Sequence, residues 1–213
     1  MKTGVDMFEA FGMSECSTFL SSAPHRPSAD HALGWPQRGR RISLRAIYDP
    51  TQEAKLGEEG IIAVHQDDPG LMLGYLNAAN ETADRFVDGW FLTGDHAHIG
   101  ENGAYYYTGR KDDMMNAGGF RVSPIELETS LSQVSDITSL ACVEVEIKSD
   151  VKIIVAFYTS VGADAETQLK NYAQTHLADY KRPKAYVRLD ALPQNANGKI
   201  NRNALRQIKD RIS

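Results

Sequence analysis

YTGRKDDMMNAGGFRVSPIELE, residues 107–128, decides how this chain is built, because its local grammar changes twice within one short run. Ala104 to Thr108 is aromatic and β-prone and is bounded by Asn102-Gly103 and Gly109, which predicts a short strand that hands Arg110 to a sheet edge. Arg110 is then a permanently charged fork of five donors on a still backbone. Gly118-Gly119 permits positive φ and close approach of another chain or a ligand, since no Cβ is in the way. Ser123-Pro124-Ile125-Glu126 has the pattern of a capping box with proline at the first helical position, so a helix is expected from Pro124 to about Gln133.

Working outward, the chain reads as two units with a boundary at about Asp112. Before it lie short strands at Arg41 to Tyr48, Gly60 to His65, Trp90 to Thr93 and Ala104 to Thr108, with one helix from Glu81 to Phe86 capped by Asn80. After it come the capped helix, β-prone runs at Ser139 to Ile147 and Lys152 to Thr159, a helix from about Ala165 to His176, a strand at Lys184 to Leu189 and a basic helix from about Arg202 to Arg211. The expected class is α+β: a β-rich subdomain over 1–111, followed by a small compact α+β domain over 112–213.

Composition narrows the class without naming a chemistry. A 213-residue chain with 42% hydrophobic and 24% charged residues has enough apolar side chain for one large core or two small ones. Its 23 basic and 28 acidic residues give a net charge of −5, which argues against a broad nucleic-acid surface. Cys16 and Cys142 are too few for a disulfide framework and show no CxxC spacing, so both are expected to be reduced and mostly buried. No apolar run approaches a membrane span, and the amino terminus lacks a basic-then-apolar leader pattern, so the expected setting is the cytoplasm.

Three more segments complete the pattern: Phe8-Glu9-Ala10-Phe11-Gly12-Met13-Ser14-Glu15, Gly89-Trp90-Phe91-Leu92-Thr93-Gly94-Asp95, and Leu192-Pro193-Gln194-Asn195-Ala196-Asn197-Gly198-Lys199-Ile200. With residues 107–128 they resemble, in order and in spacing, four motifs of the adenylate-forming (AMP-binding) superfamily of acyl-CoA synthetases, adenylation domains and luciferases. The resemblance covers nearly the whole chain, yet no Gly/Ser/Thr-rich phosphate loop followed by lysine is present. The chain therefore resembles the last third of a ligase, with Met1 marking a truncation, a fragmentary gene or an internal start.

The resemblance implies roles that the residues can support chemically. Such enzymes join a carboxylate to ATP and pass the acyl group to a thiol, usually that of coenzyme A. Lys199, following the tight-turning Asn197-Gly198, would neutralise charge during adenylation. Phe11 would pack on adenine, with Gly12, Met13 and Ser14 beside the nucleotide, and Glu15 would hold Mg2+. Phe11 and Ser14 replace the family's more usual tyrosine and threonine. Asp95 and Arg110 would clamp the ribose. Asp112 would be a hinge that presents first the lysine loop and then the glycine loop; Gly118, Gly119 and Phe120 would line the coenzyme A tunnel, and Arg121 would touch phosphate. His96 and His98 have no third ligand in sight and read as ordinary strand residues. The implied function is a carboxylic acid:CoA ligase that needs the region before Met1; the alternatives are an adenylation module loading a carrier protein and a non-catalytic binding remnant.

Overall fold

The computed structural model describes residues 7–27, 32–117, 119–149 and 151–212. The chain divides into two compact units, Met1–Lys111 and Asp112–Ser213. Both mix strands with few helices, so the class is α+β.

In the first unit, strands β1 (Ala10–Met13), β2 (Ser17–Ser21), β3 (Ala32–Pro36), β4 (Ile42–Ala46), β5 (Gly60–His65), β6 (Phe86–Val87), β7 (Trp90–Ile99) and β8 (Tyr105–Arg110) form a sheet in the order β1-β2-β3-β8-β7-β5-β4, with β6 paired to β7. Every pairing is antiparallel. Phe19, Leu20, Leu44, Ile62, Val64, Phe91, Ala97 and Tyr105 bury together as its core. β8 lies between β3 and β7, so Arg110 ends an interior strand, and the sheet-edge expectation is corrected.

β7 runs on to Ile99, beyond the expected Thr93, because Gly94 adopts φ +80° and lets the strand kink and resume. The helix expected at Glu81 to Phe86 is instead α1, Ala79–Ala83, without a side-chain cap from Asn80. Thr82 holds that turn, accepting from the Tyr75 amide and donating to the Ala78 carbonyl. Phe86 is drawn into β6 by the hairpin at Asp88-Gly89, where both residues have positive φ and Val87 pairs with Trp90. That Asp-Gly signal was present in the sequence.

The second unit opens on a hairpin of β9 (Met115–Ala117) and β10 (Phe120–Val122), then α2 (Pro124–Leu131), β11 (Ile137–Lys148), β12 (Val151–Ser160), α3 (Ala165–His176), β13 (Ala185–Arg188) and α4 (Arg202–Arg206). β11 and β12 are antiparallel, and β12 and β13 are parallel, so α3 serves as the crossover that a parallel pair requires. Period-two burial explains the layering. Leu140, Cys142, Ile154, Ala156 and Tyr158 face α2 and α3, meeting Leu127, Leu131, Leu169 and Ala173. Ala141, Val143, Val155 and Phe157 face the other way, toward Val187, Leu192 and Leu205 of α4. Central β12 is covered on both sides, which is why Ile153 to Tyr158 is a continuous apolar run.

Ser123 caps α2 as its sequence predicts, its hydroxyl accepting from the Glu126 amide at 3.3 Å, while the Glu126 carboxylate meets Lys181. The terminal helix stops at Arg206, short of the expected Arg211. Beyond it the chain continues in turns, the Ile208 amide donating to the Leu205 carbonyl and the Ile212 amide to the Lys209 carbonyl, with Ile208 and Ile212 packed on the same cluster as Leu205. Cys16 and Cys142 are both free and buried; burial pushes the Cys16 thiol up to about 12 and Cys142 well above its ordinary value.

Candidate functional site

Thr93-Gly94-Asp95 is positioned by the bulge in β7. The buried Thr93 hydroxyl donates to the Ile62 carbonyl at 2.8 Å and accepts from the Asp95 amide at 3.1 Å. That local lock aims the Asp95 carboxylate while its backbone stays in register with Arg110 on β8. Asp95 is only 3% exposed. Its Oδ1 accepts from the Tyr107 hydroxyl at 3.1 Å and lies 3.6 Å from Arg110 Nη1. Burial raises the Asp95 pKa, and Arg110 and the Tyr107 hydrogen bond pull it back part of the way.

Phe11 joins this cluster through Tyr107, the ring centroids being 5.5 Å apart, and its other flank packs edge-on against Phe19 at 5.6 Å. Gly12 has a structural reason of its own. A Cβ there would fall 2.2 Å from the Ser17 carbonyl oxygen, so the β1–β2 hairpin closes only around glycine. Met13 packs partly into the sheet core, and Ser14 is exposed in the turn. Glu15 Oε1 accepts from the Tyr75 hydroxyl at 2.9 Å. Tyr75 has its pKa raised by burial and by Glu15, and Arg85 acts on it in the opposite direction.

Tyr107 thus joins Phe11, Asp95 and Arg110 within one unit, and Tyr75 separately holds Glu15; sequence reasoning gave neither tyrosine a role. The aromatic run Tyr105-Tyr106-Tyr107 carried a signal for the first, since alternate strand residues face opposite sides and Tyr107 shares a face with Asp95 across the ladder. A buried carboxylate acceptor, a guanidinium and an aromatic ring can receive a vicinal diol attached to a flat heterocycle. His96, on the opposite face of β7, meets Glu59 Oε1 at 3.2 Å, and its Nε2 is buried without a hydrogen bond. His98 stacks on Tyr106 at 5.1 Å. Among the described residues no group of three or more metal-ligating side chains converges.

The second unit carries the remaining candidates on two separate loops. Ala117 pairs with Phe120 to close the β9–β10 hairpin; Gly118 lies outside the described residues. Gly119 has φ +91° with open space where a Cβ would stand, and its amide donates to Asn116 Oδ1 at 2.9 Å. Arg121 is exposed on β10. Phe120 is 58% exposed and leans on Tyr180, with ring centroids 4.6 Å apart. Beside the hairpin is a cavity of about 230 Å³ with walls from Ala117, Ile153 and Ile154 and a rim of Lys152, Arg182 and Lys184. Lys199 is exposed on a loop closed by the Gln194–Ile200 bridge. There Asn195 Oδ1 accepts from the Asn197 and Lys199 amides, both at 3.1 Å, and Gly198 takes φ +74°. Asp112 is exposed at the start of the unit.

Comparison with known proteins gives one consistent picture. The AMP-binding enzyme C-terminal domain family matches residues 126–199. The 2-succinylbenzoate CoA ligase of Listeria innocua is 31% identical over 206 residues, covering 95% of this chain and 41% of the relative. The long-chain-fatty-acid CoA ligase of Salmonella typhimurium is 32% identical, covering 96% of this chain and 36% of the relative. Among solved structures, ATP-bound MatB from Rhodopseudomonas palustris superposes with a TM-score of 0.89 at 28% identity, covering 98% of this chain and 42% of that one. The O-succinylbenzoate coenzyme A synthetase of Bacillus subtilis in complex with AMP gives 0.84 at 27% identity, over 98% and 42% of the two chains. The chain spans about 41% of the length of the first curated relatives it matches.

Proposed function

The chain belongs to the adenylate-forming, AMP-binding superfamily, as a carboxy-terminal portion of its acyl-CoA ligase type, and from that premise we propose that it serves a carboxylic acid:CoA ligase. The observation that carries the proposal is the Asp95–Tyr107–Arg110 cluster with the Phe11 ring against it. Asp95 receives the ribose hydroxyls of ATP, and Arg110 donates to the same sugar while holding the carboxylate in place. Phe11 and Tyr107 offer the aromatic surface for adenine.

Glu15 suits a magnesium ion as a single carboxylate donor. Tyr75 occupies Oε1 and so fixes the side chain, and magnesium commonly takes one or two protein carboxylates beside substrate phosphates. When bound, the ion would neutralise phosphate charge. Lys199 brings a second positive charge from its loop tip to the α-phosphate as the substrate carboxylate attacks and pyrophosphate leaves. Asp112 is the pivot, and Arg121 contacts phosphate in one of the two arrangements. Gly119 and Phe120, with Gly118, admit the thiol arm of coenzyme A; the cationic rim of the neighbouring cavity suits its phosphates. The thiol then displaces AMP from the acyl adenylate.

The names of the relatives favour coenzyme A over a carrier protein as the acceptor. They span aryl and fatty acids, so the proposed substrate class is a carboxylic acid and no narrower. Titrating the purified chain with AMP while following its backbone amide resonances tests the nucleotide assignment. The expected result is a response confined to the segments around Phe11, Asp95 and Arg110 that Asp95→Asn abolishes. A wild-type chain that does not respond to AMP at millimolar concentration on the order of a weak, partial site would overturn it.

A further inference from the structure

Lys111 and Asp113 are each tied down, and they flank the residue proposed as the pivot. The Lys111 amide donates to the Gly94 carbonyl at 2.9 Å, within the first unit. Asp113, in the second unit, faces two guanidinium groups at opposite ends of α4: Arg202 Nε at 3.8 Å and Arg206 Nη2 at 3.4 Å. Arg206 Nη2 also reaches the Asp112 carbonyl at 3.3 Å.

Arg202 is itself immobilised. Its two terminal nitrogens meet the two oxygens of Glu128 at 2.5 and 2.9 Å, and Nη1 donates to the Cys142 carbonyl at 3.1 Å. Glu128 Oε1 accepts in addition from the Cys142 amide at 2.7 Å, so the fork is bolted to the middle of β11. Although burial opposes its charge, Glu128 and Asp113 raise the Arg202 pKa, and it remains a fixed cation.

The lysine loop ends on the same anchor. Asn201 caps α4, its Oδ1 accepting from the Ala204 amide at 3.1 Å, and its own amide donates to the Pro193 carbonyl at 2.8 Å. Lys199 therefore precedes, by a few bonded residues, the helix that grips Asp113.

We propose that Arg202 and Arg206 are positioning residues that clasp Asp113 to α4, so that rotation is confined to Asp112 and the Lys199 loop turns with the chain leaving the pivot as one body. The inference rests on the proposed roles of Lys199 and Asp112. A loose Asp113 would spread the pivot over several residues and let the lysine arrive in many orientations. A clasped one converts a single change of backbone angle into a defined displacement of the loop.

Backbone order parameters of the purified chain, compared among wild type, Asp113→Asn and Asp113→Glu, test this. In wild type Asp113 should be as ordered as the sheet, roughly 0.85, with a dip at Asp112. Asp113→Asn should drop 112–114 below roughly 0.6, with no change across β11–β13 or in 195–201, which Arg202 and Asn201 still anchor. Asp113→Glu, which keeps the carboxylate, should restore 112–114. Loss reaching 195–201 or the whole unit, no loss, or no recovery in Asp113→Glu overturns the clasp. The readout needs no ligand, so failure of the nucleotide assignment shows up separately, as the missing response to AMP.

Discussion

Asp95 illustrates how a residue proposed to bind the nucleotide can cost stability. Burial raises its folded-state pKa, so the folded chain holds the proton more tightly than the unfolded one. Stability is then lost as pH climbs from the ordinary carboxylate value through the raised one. Asp95→Asn should accordingly melt with wild type near about pH 3, where both side chains are neutral, and gain an advantage toward neutral pH. Thermal melts across that range decide the matter: an advantage that shrinks with rising pH would contradict the assignment. Asp95, Arg110 and Phe11 were legible as motif residues. Tyr107 carried only the signal of its aromatic run, which needs the β7–β8 register to be read, and Tyr75 carried none, because its contribution is a hydrogen bond to a residue in a loop distant in sequence.

At the scale of elements, signals carried by local chemistry translated well. The Ser123-Pro124 start of α2 is one, and replacing Ser123 with Ala should cost about 1 kcal/mol, measured by denaturant unfolding; a cost near zero would show that the proline alone fixes the helix start. The apolar run in β12 is another, since burial on both faces leaves no polar position to interrupt it. The short strands β1, β2, β3, β9 and β10 escaped. β3 is held by β8, distant in sequence, whereas β1–β2 and β9–β10 are local hairpins too short to carry a periodic signal, and Gly12 in particular is required by a hairpin contact, which the nucleotide reading of its motif did not anticipate. Gly119 offers an element-level test. Leucine there would sit in open space but at φ +91°, a strain of about 1–2 kcal/mol. In a functioning ligase it should slow thiol transfer and spare adenylation; equal slowing of both steps would remove the hairpin from the coenzyme A path.

At the scale of the whole molecule, the two units differ in how completely they are built. The second has helices on both faces of its sheet, with tightly packed apolar layers. Its amides should exchange more slowly than those of the first unit, and equal or reversed protection would count against that difference. The purified chain should not release pyrophosphate from ATP with any acid, because its motifs include no Gly/Ser/Thr-rich phosphate loop to complete a near-attack arrangement of triphosphate and carboxylate. The central claim, that this chain supplies the adenylating lysine of an acid:CoA ligase, is tested most directly by a chimera. In it, this chain replaces the matched residues of the Listeria innocua ligase. Each half-reaction is then followed in single turnover, with and without Lys199→Ala. The account predicts that the substitution slows acyl-adenylate formation by roughly 10² to 10³, the range for loss of one electrostatic donor. Transfer from pre-formed adenylate to coenzyme A should stay nearly intact. Equal depression of both half-reactions, or no effect on either, would contradict it.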